Sequence, residues 1–287
     1  MMTMRLHHLA TAAALAAALG AGSVKAAGVE TEITDYAFSF EGPFGRFDQA
    51  QLQRGYQIYR EVCAACHGMK YLAFRHLGDE SGPGFPEEQV KAFAAQYEFP
   101  TEDDPEEMRE GAPFDYHPTP EYFGDGNPPD MSLIAKARAG FHGPYGTGLA
   151  QLFRGMGGPE YIYSLMQGYE EEPECAADAG MSGYYNTAFE AGGFPPSCID
   201  DHGHHMVPGS WIAMPPPIYD GIVDYADGTE ATADQVSADI SAFLMWAAEP
   251  KMMERKEAGL RNMIWLVILA VLLYFVNKKL WAPVKGH

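Results

Sequence analysis

Apolar positions along this chain fall into three patterns. An apolar run over residues 9–19 follows Arg5, His7 and His8 and gives way to small residues, which predicts a signal peptide. Val24 and Ala26 suit a cleavage site, placing the cut after Ala26. Further on, Leu52, Gly55, Tyr56, Tyr59, Val62 and Cys63 recur at a 3.6-residue period and predict a helix, with Asp48 as its cap and Gln51 at capping-box spacing. A second helix is predicted from Thr232, again with a glutamine, Gln235, three residues on. It would bury Val236, Ile240, Phe243, Leu244 and Ala247 until Pro250 ends it. Gly55 on one helix and Phe243 and Trp246 on the other predict a close crossing, with glycine making room for an aromatic ring.

The third pattern is an uninterrupted apolar run of 14 residues, 263–276. Alone it makes a helix of about 21 Å, short of the ~30 Å hydrocarbon layer of a bilayer. It is apolar on every face, however, and Leu280, Trp281 and Ala282 extend it if Lys278 and Lys279 snorkel to the headgroups. A single span over 259–281 follows. Basic residues flank both ends nearly equally, so loop charge does not orient the span. The signal peptide does: it exports residues 27–258 and leaves 282–287 in the cytoplasm, which in bacteria makes the domain periplasmic.

Between the two amphipathic helices the chain is rich in Gly, Pro and acid. Residues 99–130 predict an irregular insertion with one short helix after Pro105. Short helices are predicted over 132–139, near Asp130, and over 161–167. The chain is therefore expected to be mainly α with long loops.

Charge narrows the partners. From 27 to 250 there are 37 Asp and Glu against 10 Lys and Arg, and no Lys or Arg lies between Arg154 and Lys251. Nucleic acid and anionic lipid are poor partners for such a surface, and a basic protein is a good one. A merely solubilising acidic surface is the alternative.

The chemistry lies at Cys63, Ala64, Ala65, Cys66 and His67. Two thiols three positions apart followed by an imidazole form a c-type haem attachment pattern: each sulfur adds to one vinyl group, and His67 lies under the porphyrin as proximal ligand. The other two cysteines, Cys175 and Cys198, are too distant to complete a zinc site, and an oxidising compartment lets them pair. For the opposite face of the iron, Met214 stands out because Pro215, Pro216 and Pro217 stiffen the backbone after it. Met156, Met166, Met181 and Met206 are its rivals. His202, His204 and His205 cluster as a metal site would, but with Asp200, Asp201 and Gly203 among them they read better as a solvated loop.

These features resemble the cytochrome c1 family. The likeness rests on residues 38–47 (FSFEGPFGRF), 63–70 (CAACHGMK), 129–140 (PDMSLIAKARAG), 157–163 (GGPEYIY), 212–217 (IAMPPP) and 243–251 (FLMWAAEPK). It implies a class I cytochrome c-like haem domain with long loop insertions and one C-terminal transmembrane helix, carrying one covalent haem c. It also implies Met214 as the ligand opposite His67, and Arg138 and Tyr161 at the haem propionates. The function implied is electron transfer within a cytochrome bc1 complex of the bacterial inner membrane, beside cytochrome b. The electron would come from a Rieske iron–sulfur protein and pass to a basic soluble or tethered c-type cytochrome. Two departures are visible: Met131 stands where the family usually has leucine, and many members lack the insertion carrying Cys175 and Cys198.

Overall fold

A computed structural model describes residues 31–101, 103–124, 126–138 and 157–283. The expected signal segment, the end of the tail at 284–287 and Met156 lie outside the described residues.

The first amphipathic helix, α1, is Gln49–Glu61. Asp48 caps it by accepting from the Gln51 N–H at 2.9 Å, as its position predicts. A short helix, α2 (Glu87–Ala94), follows, then a hairpin of β1 (Glu98–Pro100) and β2 (Met108–Glu110) in which Phe99 faces Arg109. This hairpin corrects the expected helix after Pro105. Thr101 and Asp104 build its turn: the Thr101 hydroxyl donates to the Asp104 carbonyl at 2.8 Å, and the Asp104 carboxylate takes the Glu106 N–H at 2.9 Å. Such local bonds compete with helix formation.

Next come α3 (Ile134–Ala137), shorter than expected, and α4 (Gly158–Gln167). The region carrying the second cysteine pair contains strands that the residue pattern did not predict, β3 (Tyr184–Asn186) against β4 (Ser210–Ile212). Cys175 and Cys198 form a disulfide with Cα atoms 5.1 Å apart. It closes a small second core in which Ala176, Tyr185, Cys198 and Trp211 are buried.

The last two helices are α5 (Ala233–Ala248), capped by Thr232, and α6 (Met252–Trp281). α5 is buried on every face rather than along one stripe, because α1 packs on one side and α4 on another. Its buried serines and aspartate are satisfied internally. Ser237 and Ser241 bond back to carbonyls four residues earlier, and the buried Asp239 carboxylate takes a two-point bond from Arg54 at 2.7 and 3.1 Å. The α1–α5 crossing is as close as expected: a Cβ on Gly55 would lie 2.3 Å from the Asp239 carbonyl oxygen and 2.5 Å from the Phe243 Cβ.

α6 is one 30-residue helix, about 45 Å long and ample for a bilayer, with a mean hydropathy of 2.0 in its apolar window. It begins ahead of the expected span. Met252 and Met253 are buried in the core, and Lys256 donates to the carbonyls of Phe40 and Gly45. The anchor is thus rooted in the domain through the aromatic strap at 38–47.

That strap also meets the start of α4. Glu160 is fully buried, its carboxyl oxygens reach no donor group, and they face Glu41. Two facing acceptors can be satisfied only by a proton between them. Burial pushes the Glu160 carboxyl up to about 8, with Glu41 adding to the effect. From the ordinary carboxylate value of about 4.3 up to that value, the native chain binds more protons than the unfolded one. Stability should therefore fall as pH rises through this window. Glu160→Gln should flatten the fall, and thermal unfolding of the detergent-solubilised holoprotein between pH 5 and pH 8 checks it. An unchanged slope in the variant would show that the pair does not hold the proton.

Candidate haem site

After α1 the chain tightens into a turn over Cys63–Ala65, where the N–H groups of Cys66 and His67 both donate to the Cys63 carbonyl at 3.1 and 2.9 Å. Both cysteines are half-buried and unpaired. Burial pushes the Cys63 thiol up to about 12, so it is protonated at neutral pH.

His67 is buried, and its Nδ1 lies 2.8 Å from the Pro129 carbonyl oxygen. A carbonyl can only accept, so Nδ1 carries the proton and Nε2 is left with its lone pair for a metal. The segment that supplies this carbonyl is itself tied down. Asp130 accepts from the N–H groups of Lys70 and Ser132 at 2.9 and 3.0 Å, Ser132 takes the Tyr71 N–H, and Met131 donates to the Gly68 carbonyl. A Cβ on Gly68 would lie 2.6 Å from the Thr119 hydroxyl oxygen, so this cradle admits only glycine beside His67. A second buried histidine, His117, is not available to a metal. Its Nδ1 is engaged by the Leu72 carbonyl at 2.8 Å and its Nε2 by the Tyr56 hydroxyl at 3.3 Å.

The resemblance residues form a second group. A Cβ on Gly158 would fall 1.7 Å from the Ala135 carbonyl oxygen, so the backbones of α3 and α4 touch there. This contact brings Arg138, just past α3, into hydrogen-bonding range of Tyr161 in the first turn of α4. Burial raises the Tyr161 hydroxyl while Arg138 pulls it back down. Tyr169 donates its hydroxyl to the Met214 carbonyl at 3.1 Å.

Met214 itself is half-buried, two residues beyond β4. Among its rivals, Met166 packs on the main core, Met181 on the disulfide-loop core, and Met206 is 61% exposed. His202, His204 and His205 form no converging metal-binding group among the described residues. Asp200 instead organises their loop through the N–H groups of His202 and His204, and His205 stacks on Phe194 at 3.9 Å.

Residue patterns did not reveal Pro129, Asp130 and Ser132 as supports of His67, nor Tyr169. Only the quoted 129–140 segment pointed toward the first three. The paired cysteines on one turn, the histidine with Nδ1 engaged and the glycine cradle together fit a covalently attached haem c.

Comparison with known proteins agrees. The Cytochrome C1 family matches residues 38–284. Cytochrome c1 of Cereibacter sphaeroides is 53% identical over 98% of both chains. Cytochrome c1 of Rhodobacter capsulatus is 51% identical over 97% of this chain and 98% of its own. A Bradyrhizobium diazoefficiens protein named cytochrome b/c1 is 39% identical over 85% of this chain, a match covering 35% of that longer protein. With the attachment turn, the oriented imidazole and this likeness in hand, the chain belongs to the cytochrome c1 family and is a haem c-bearing electron-transfer protein.

Proposed function

We propose that this chain is the haem subunit of a cytochrome bc1 complex, taking one electron from a Rieske iron–sulfur protein and passing it to a basic soluble or tethered c-type cytochrome. The observation that carries this reading is the attachment turn with His67 oriented by Pro129, in a domain whose last helix is long and apolar enough to cross a membrane. The relative named cytochrome b/c1 supports cytochrome b as a neighbour.

Bound haem c would supply one-electron Fe(III)/Fe(II) chemistry at a potential set by its surroundings. Cys63 and Cys66 would hold the group covalently, and His67 Nε2 and the Met214 thioether would bind its iron. Arg138 and Tyr161 would offer a positive charge and a hydroxyl to its propionates. The acidic surface, without a single Lys or Arg between Arg154 and Lys251, steers a basic acceptor and repels nucleic acid. Export through a signal at 1–26 puts residues 27–258 in the periplasm, with a single span at 259–281 and a cytoplasmic tail at 282–287.

The test is purification of the detergent-extracted protein through a tag on this chain. Recovery of a b-type cytochrome and a Rieske protein in stoichiometric amounts is expected. Recovery alone, or with terminal-oxidase subunits, would make it an independent tethered carrier or an oxidase component.

A further inference from the structure

We infer that Tyr169 is a positioning residue for the axial thioether: its hydroxyl clamps the backbone of Met214 and fixes the direction from which that side chain leaves the chain. The inference rests on the assignment of Met214 as iron ligand made above.

The geometry is specific to this one peptide. The carbonyl that accepts the Tyr169 hydroxyl at 3.1 Å belongs to the Met214–Pro215 bond. Pro215 confines Met214 to extended conformations but leaves its peptide plane free to rock within that broad region. None of the three prolines that follow has an N–H with which to tie the segment down. A bond to the Met214 carbonyl removes the remaining freedom.

Tyr169 is itself well held. Its backbone forms an antiparallel bridge with Asn186, the last residue of β3, which pairs with Ser210 at the start of β4. Asn186 is fully buried and donates its amide to the Leu165 carbonyl of α4 at 2.8 Å. The preceding Gly168 accepts the Thr187 N–H at 2.9 Å, and a Cβ there would lie 2.9 Å from the Thr187 hydroxyl oxygen. The clamp therefore runs from α4 and β3 to the loop beyond β4, bracing the methionine segment against the helical core. A tyrosine hydroxyl keeps its proton throughout the physiological range, so it donates.

Tyr169→Phe removes one oxygen and keeps the ring. Imidazole, added to the oxidised, detergent-extracted holoprotein, is the probe, since an outside ligand binds only when the thioether leaves. Three variants are compared with wild type: Tyr169→Phe, Met214→Leu, and Tyr185→Phe, which removes a hydroxyl bonded to the Pro208 carbonyl just ahead of β4. In Tyr169→Phe, covalent haem should be retained and imidazole should bind roughly three- to tenfold more tightly, the range a single neutral hydrogen bond carries. Tyr185→Phe should behave as wild type. Equal binding in Tyr169→Phe and wild type, or an equal gain in Tyr185→Phe, would overturn the clamp. Survival of the Met-to-iron absorption band in Met214→Leu would overturn the ligand assignment instead.

Discussion

Met214→Leu should leave the haem attached through Cys63 and Cys66 and lower its midpoint potential. On the ligand set proposed above, attachment and tuning would reside in different residues: the two cysteines sit on the turn that follows α1, while Met214 lies beyond β4 on the loop held by Tyr169. A thioether is a soft donor that favours Fe(II) over Fe(III), and leucine fills a similar volume without donating. A fall on the order of 100 mV is expected, and at ~59 mV per tenfold for one electron this is roughly a fiftyfold change in the electron-transfer equilibrium. Such a fall would oppose uptake from the proposed Rieske donor, and quinol oxidation should slow at this step. A redox titration checks it. An unchanged midpoint with the Met-to-iron band intact would move the ligand role to Met166, Met181, Met206 or Met156.

The features that could be read from the residues were those determined locally. Asp48 and Thr232 cap their helices as their side chains and spacing require, and Gly55 meets Phe243 because a glycine on an otherwise bulky apolar face has few other uses. The attachment motif is likewise one turn of chain. What stayed hidden depends on backbone groups brought from afar. The Pro129 carbonyl that orients His67 lies 62 residues along the chain and the Met214 carbonyl 45 residues from Tyr169, and every residue has a carbonyl, so composition cannot single one out. The β1–β2 hairpin displaced an expected helix because Thr101 and Asp104 bond their own neighbours. The all-round burial of α5 was masked by Ser237, Asp239 and Ser241, whose polar groups read as solvent-facing but are satisfied inside.

Gly55→Ala should destabilise the domain although alanine is the better helix former. In isolation the exchange would favour α1 by ~1 kcal/mol. Here the added Cβ would lie 2.3 Å from the Asp239 carbonyl oxygen and 2.5 Å from the Phe243 Cβ, and neither atom is the free end of a side chain. Relief requires α1 and α5 to move apart by about an ångström, in a core packed at crystal-like density. Separation would stretch the Arg54–Asp239 ion pair, whose acidic partner has no exposed side-chain surface. Overpacking of this kind costs about 3 kcal/mol, so a net loss of about 2 kcal/mol is expected, equivalent to a melting temperature lower by about 4–8 °C for a domain of this size. The consequence reaches the site because α1 ends in the turn that presents Cys63, Cys66 and His67. Tilting α1 shifts His67 relative to the Pro129 carbonyl, so the yield of covalent haem should fall together with stability. Gly259→Ala is the contrasting variant, a helical glycine in α6 with nothing within 4 Å of its added Cβ, and it should cost no stability. Melting temperatures and haem-stained gels of the two variants decide the matter: a Gly55→Ala protein as stable and as fully haem-loaded as wild type would mean that the crossing has slack the packing does not show.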